Sequence, residues 1–140
     1  TFINTVFHWP AKDPVVADGN YAYSTTRRGE EFQNPSGTLS VLDIRDKKNA
    51  VTVNTYSQQY PFGLGLSGKY LFVCNGHFGM NIYRISGGGQ DLIYVRNIPT
   101  DDIYDCIPSE ELLVCQTKTG LWIFNIENPE NPVLVQKINN

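Results

Sequence analysis

The sequence predicts an all-β fold assembled from a recurring four-stranded antiparallel unit, and three observations lead there. Apolar residues alternate with a period of two, as in a half-buried strand, and not with the 3.6 of a helix. Glycine (12) and proline (8) punctuate the chain too often for long helices. Finally, segments recur: Leu39–Ile44, Met80–Ile85 and Leu121–Ile126 match, and their starts lie 41 residues apart. A second matching strand precedes each, at 19–26, 68–75 and 110–117, with spacings of 49 and 42. The excess, about eight residues, falls between Thr26 and Leu39 and reads as a longer connection; without it the period returns to about 41.

Each element follows from local chemistry. Residues 1–10 run into Pro10 as Leu92–Ile98 runs into Pro99, so they are expected to form the outer strand of a preceding blade. Three units follow, at 14–57, 61–99 and 103–138. The middle unit reads as strands Phe62–Leu66, Tyr70–Cys74, Met80–Ile85 and Leu92–Ile98, joined by glycine-bearing turns. The third reads as Tyr104–Ile107, Leu112–Gln116, Leu121–Ile126 and Val133–Ile138, with Asn128-Pro-Glu-Asn-Pro132 making the last turn. Four antiparallel strands at this period are the mark of a β-propeller blade, and a sandwich does not predict the period. The expectation is a partial β-propeller: three four-stranded antiparallel blades plus a leading strand, within the single domain 1–140. Closed propellers carry about 4–8 blades. Three are therefore expected to be completed by the remaining blades of a parent chain or by self-association that closes the ring.

The stretch Gly120-Leu-Trp-Ile-Phe-Asn-Ile126, followed by Glu-Asn-Pro-Glu-Asn-Pro-Val-Leu-Val135 and preceded by Leu-Leu-Val-Cys115, resembles the LVIVD-repeat family of β-propellers. That family's pattern runs Gly, Leu, alternating aliphatics, Asp, Ile, a polar turn with Asn-Pro, then Val-Leu-Val. Its Asp is kept as Asp43, replaced by Arg84 in the second unit and by Asn125 in the third, where an amide can still bond nearby backbone donors. The resemblance spans 14–138 and is strongest over 112–135. It implies a bacterial or archaeal exported or cell-surface propeller, an extracytoplasmic location and no defined enzymatic activity.

Composition narrows the function. Hydrophobic residues at 41% with only 18% charged exclude disorder, the usual charged share being about 25%. A net charge of −3 without a basic stripe argues against nucleic acid. Apolar runs of about five residues are far short of the roughly 20 of a membrane helix, so no transmembrane segment is expected. Cys74, Cys106 and Cys115 form no CxxC, cannot all pair with one another, and sit in apolar strands as small hydrophobes. The run Gly63-Leu-Gly-Leu-Ser-Gly68 matches a dinucleotide fingerprint by letter, but a strand follows where that fingerprint requires a helix, so the two glycines suit a crowded inner strand. The histidines His8 and His77 lie far apart in the chain without a metal-binding motif, and no Gly-x-Ser-x-Gly elbow is present; no metal and no cofactor are expected.

Candidate binding residues come from topology. The loops between second and third strands and those between blades share one face at the channel mouth, which brings together 26–36, 75–78 and 116–119. Arg27, Arg28 and Lys118 then offer cations for carboxylates, Asp101 and Asp102 serve cations or sugar hydroxyls, and Tyr60, His77 and Phe78 give flat contact surfaces. Against this, the two arginines can pair locally with Glu30 and Glu31, and the acidic pair can be a plain turn. Trp122 and Phe124, on a strand apolar on both faces, are expected to pack between blades. The function predicted is a non-enzymatic binding module for a protein or glycan partner. The alternative is part of a propeller hydrolase or lyase whose active site is completed by blades outside this sequence.

Overall fold

The computed structural model describes residues 15–140, so the leading strand expected at 1–10 lies outside the described residues. Within them, three antiparallel four-stranded sheets follow one another, each a simple meander. The first holds β1 (Val15–Asp18), β2 (Tyr21–Glu30), β3 (Gln33–Asp43) and β4 (Val51–Gln58). The second holds β5 (Leu64–Ser67), β6 (Tyr70–Cys74), β7 (Met80–Ser86) and β8 (Asp91–Ile98), with one turn of 3-10 helix at Gly87–Gly89. The third holds β9 (Ile103–Ser109), β10 (Leu112–Thr117), β11 (Gly120–Asn125) and β12 (Val133–Asn139). This is a partial, propeller-like all-β fold. No helix of the described residues is long and apolar enough to cross a membrane.

Alternation along β6 explains how the sheets stack. Leu71 and Val73 point to one side, Phe72 and Cys74 to the other, and all four are buried. The first pair joins Tyr23, Leu39, Val41, Leu64, Tyr83 and Leu92 in the core between the first and second sheets. The second pair joins Met80, Ile82 and Ile98 against Ile103, Leu113, Cys115 and Phe124 in the core between the second and third. A strand buried on both faces reads as an unbroken apolar run, which is what Leu-Phe-Val-Cys74 is.

The inner strands β1, β5 and β9 stand side by side. Gly63 donates its N–H to the Tyr104 carbonyl at 2.9 Å, and Gly76 and Ile103 exchange backbone hydrogen bonds of 2.9 and 3.1 Å. Such closeness leaves no room for side chains: a Cβ on Gly65 would lie 2.8 Å from Pro108 Cδ and 3.1 Å from Cys106 Sγ. The letters of a nucleotide fingerprint are thus a packing requirement. On the opposite rim, the third-to-fourth-strand turns of the second and third sheets each reach the preceding sheet. Tyr23 donates its hydroxyl to the Gly89 carbonyl (2.6 Å), and Tyr70 donates to Glu130 (2.5 Å). The turn after β11 is shaped by amides: Asn125 Oδ1 accepts from Glu127 N–H (2.9 Å), as Asp43 Oδ1 accepts from Arg45 N–H (3.0 Å).

One expectation is corrected. Residues 26–36 are not a long loop but a continuation of the β2–β3 ladder, in which Arg27 pairs with Gly37, Arg28 with Ser36 and Glu30 with Gln33. The extra residues are split between the two strands, so the extension keeps the antiparallel pairing of the hairpin. A register shift between Arg28 and Glu30 and the positive φ of Asn34 (54°) bend the tip.

Cys74, Cys106 and Cys115 are free thiols buried in the second core. Burial, with neighbouring sulfurs adding to it, pushes the Cys74 thiol well above its ordinary range and raises Cys115 as well. Two predictions follow from this packing. Gly65→Val is expected to destabilise strongly and Phe72→Ala to cost about 3–5 kcal/mol in urea denaturation; a Phe72→Ala loss below about 1 kcal/mol would show that the second core is not closed. The thiols give the second. Unfolded thiols ionise near pH 8.5 while Cys74 and Cys115 stay protonated in the fold, so the native state binds more protons there. Stability is expected to fall as pH rises past about 9, by up to about 1.4 kcal/mol per pH unit for each thiol. Denaturation midpoints at pH 8 and 10 check this, and Cys74→Ala with Cys115→Ala should flatten the dependence.

Candidate functional site

The extended hairpin of the first sheet reaches across to the β6–β7 turn of the second. Its tip residue Glu31 accepts the backbone N–H of His77 (2.8 Å) and sits 3.1 Å from His77 Nδ1. The adjacent Phe32 ring stacks on the imidazole, centroids 4.5 Å apart and 17° between planes, and Phe78 lies 3.9 Å from the imidazole on its own turn. Gly76 makes this approach possible, because a Cβ there would strike the Glu31 carboxylate, and its φ of 58° favours glycine independently. Glu31 therefore holds His77 by its backbone and its ring.

Beneath the hairpin, Arg27 lies over aromatic rings. Its guanidinium is 4.3 Å from the Phe62 centroid and 5.8 Å from that of Tyr60, and Nη1 donates to the Pro61 carbonyl at 3.3 Å. Tyr60 donates its hydroxyl to the Gly29 carbonyl (3.0 Å) and its N–H to Asn75 Oδ1 (3.0 Å). Arg27, Tyr60, His77 and Phe78 are thus gathered into one aromatic cluster under and beside the hairpin. Arg28 lies exposed along the same hairpin.

The other candidates form a second group at the joint between the second and third sheets. Asp101 Oδ2 accepts from Thr119 Oγ1 (2.6 Å) and Oδ1 from Asp102 N–H (3.0 Å), while Lys118 donates its N–H to the Asp102 carbonyl (2.8 Å). These hydrogen bonds, with Lys118 and Lys137 nearby, hold the Asp101 carboxyl below the ordinary carboxylate range. Tyr104 stands between the groups: its ring meets Phe62 edge-on at 5.1 Å. Burial and the charges of Asp102, Glu31 and Asp101 push its phenol up. The loop face therefore presents two adjoining patches, one aromatic and one mixed in charge.

Trp122 and Phe124 pack against the second core as expected, Phe124 fully and Trp122 by half. The exposed side of Trp122 carries Lys137, whose Nζ lies 3.9 Å from the ring. A groove of about 1020 Å³ opens there, lined by Thr100, Asp101, Lys118, Thr119 and Trp122 among others.

Sequence reading missed a buried amide network at the preceding joint. Gln58 Nε2 donates to Tyr83 Oη (2.5 Å), and Gln58 Oε1 accepts from both Asn75 (3.1 Å) and Asn81 (3.0 Å). Asn97 in turn donates to Asn81 Oδ1 (2.8 Å) and to the Phe78 carbonyl (2.9 Å). Three amides at inward positions of apolar strands were the available signal, since a buried amide persists only with partners.

Glu31 and His77 form a dyad, and among the described residues no hydroxyl or thiol is hydrogen-bonded to the far imidazole nitrogen. No protein-family model matches the chain, and no curated protein matches it.

Proposed function

We propose that this chain is a non-enzymatic binding module of an exported or cell-surface protein of the LVIVD-repeat kind, and that the loop face meets a protein partner through the tip of the first hairpin. The observation that carries this reading is Phe32, 76% exposed yet held in place by the stack on His77 and by the Glu31 hydrogen bonds beside it. An aromatic ring displayed to solvent on a fixed backbone loses little conformational freedom on association, and such residues dominate interface energetics. The family resemblance of 112–135 supports the exported setting.

The partner set includes further blades. The third sheet turns Ile107, Val114, Leu121, Ile123 and Ile138 away from the second sheet, and Ile107 is 65% exposed. The one carboxylate in this row, Asp105, is turned back to accept the N–H of Cys106 (2.9 Å), so the face is mostly aliphatic, with the neutral amides Gln116 and Gln136 among its residues. In this reading the face seats another blade, from the parent chain or from a second copy.

Two measurements check these statements. Immobilised chain should retain an envelope protein from producing cells that Phe32→Ala loses at least about 10-fold, with stability within about 0.5 kcal/mol of the parent. Equal retention by both would overturn the hairpin reading. In light scattering with hydrophobic dye, the chain should associate or bind dye through the third sheet, and Ile123→Lys should suppress both; a monodisperse, dye-free monomer would sink the blade-seating reading.

A further inference from the structure

The pairing register puts the two inter-sheet joints on a common frame. Tyr56 lies opposite Leu39 and Ile98 opposite Met80, so Gln58 and Thr100, each two residues on, occupy corresponding places. Val73 faces Asn81 as Cys115 faces Trp122, and Asn81 faces Asn97 as Trp122 faces Lys137. The network Gln58, Asn75, Asn81 and Asn97 at the first joint thus has Thr100, Thr117, Trp122 and Lys137 as its counterpart at the second.

The exchange changes what each joint can do. At the first, amides fill the wedge between sheets and bond one another. At the second, Thr117 turns its hydroxyl onto the Gly120 carbonyl (3.0 Å), and the shorter Thr100 reaches nothing: its Oγ1 is buried without a hydrogen-bond partner. A buried hydroxyl left unbonded is a cost that a bound polar group removes. Around it lie an indole face, two ammonium groups and the Asp101 carboxylate, in a groove of about 1020 Å³.

We propose that this groove binds a hexuronate unit of an acidic oligosaccharide. The C–H face of the sugar ring stacks on Trp122, Lys137 swings off the indole to take the carboxylate with Lys118 beside it, Asp101 bonds a ring hydroxyl, and the same movement uncovers Thr100 Oγ1 for another. Each part of the assignment disfavours a competitor. A neutral sugar offers the two lysines no carboxylate, an inorganic phosphate offers Trp122 no C–H face, and an aromatic acid offers Asp101 no hydroxyl. The assignment rests on the reading of the loop face as a binding surface, but not on the protein partner at Phe32.

The test is calorimetric titration of the whole chain with tetragalacturonate and with a neutral tetrasaccharide of the same linkage, alongside tryptophan fluorescence. Saturable binding of the acidic chain, at least about 10-fold tighter than the neutral one, is expected with a fluorescence change. Lys137→Met should bring the two within about 2-fold. Thr100→Val, nearly equal in size, should weaken the acidic chain about 5-fold without changing the circular dichroism or Tm. Phe32→Ala should leave both titrations unchanged, so failure here and failure of the hairpin reading are separable. Absence of saturable binding, equal binding of the neutral chain, or indifference to Lys137→Met would overturn the proposal.

Discussion

Everything in this molecule hangs on burying both faces of the middle sheet. A single four-stranded sheet has one strand spacing of thickness and no interior, so its side chains find apolar surroundings only in neighbouring sheets. Strand β6 meets that demand with four consecutive buried residues, Leu71 to Cys74, alternately supplying the first and second cores. The closeness this requires at the inner edge explains Gly63 and Gly65, since β5 and β9 come near enough for Gly63 N–H to bond the Tyr104 carbonyl. It also places the three free cysteines in the interior, where ionising Cys74 or Cys115 would put a charge in an apolar core.

With the sheets fixed, the loops at the mouth inherit a rigid base, and differences among them become differences in surface chemistry. The first hairpin gained residues on both strands, kept its ladder, and so projects as a stiff arm and not as a floppy insertion. Its tip settles on the next sheet through one carboxylate and one ring, Glu31 and Phe32, against the single imidazole of His77. Arg27 completes the base by lying on Phe62, a use of guanidinium that depends on its flat, weakly hydrated surface.

The sequence made the strands and their order legible because period-two alternation and glycine turns are local signals. Strand Tyr70–Cys74 was read with its observed bounds, and others such as Met80–Ser86 differ by a residue at the end. What local signals miss is pairing at a distance. Thr26 to Ser36 carries Arg, Gly, Asn and Pro, all loop-like residues, and only the register between Arg27 and Gly37 reveals a ladder. The contact of Glu31 with His77 escapes local signals for the same reason, since the two lie 46 residues apart. The candidates Asp101 and Lys118 were named correctly as neighbours, but their separation from the aromatic group depends on Tyr104 standing between them.

The two joints show how one architecture can be closed in two chemically different ways. Four amides closing a wedge satisfy one another, so every polar atom brought into the interior has its bond and the joint is locked. Threonine, tryptophan and lysine at the corresponding places remove that closure, while the buried rows beneath still pack the second and third sheets together. The indole packs partly into the core and keeps one side outward, with an ammonium resting on it. A joint arranged in this way leaves its hydrogen-bonding capacity unspent at Thr100. That unspent capacity lies on the same face as the hairpin, which is why a scaffold with so little charge can still present a specific surface.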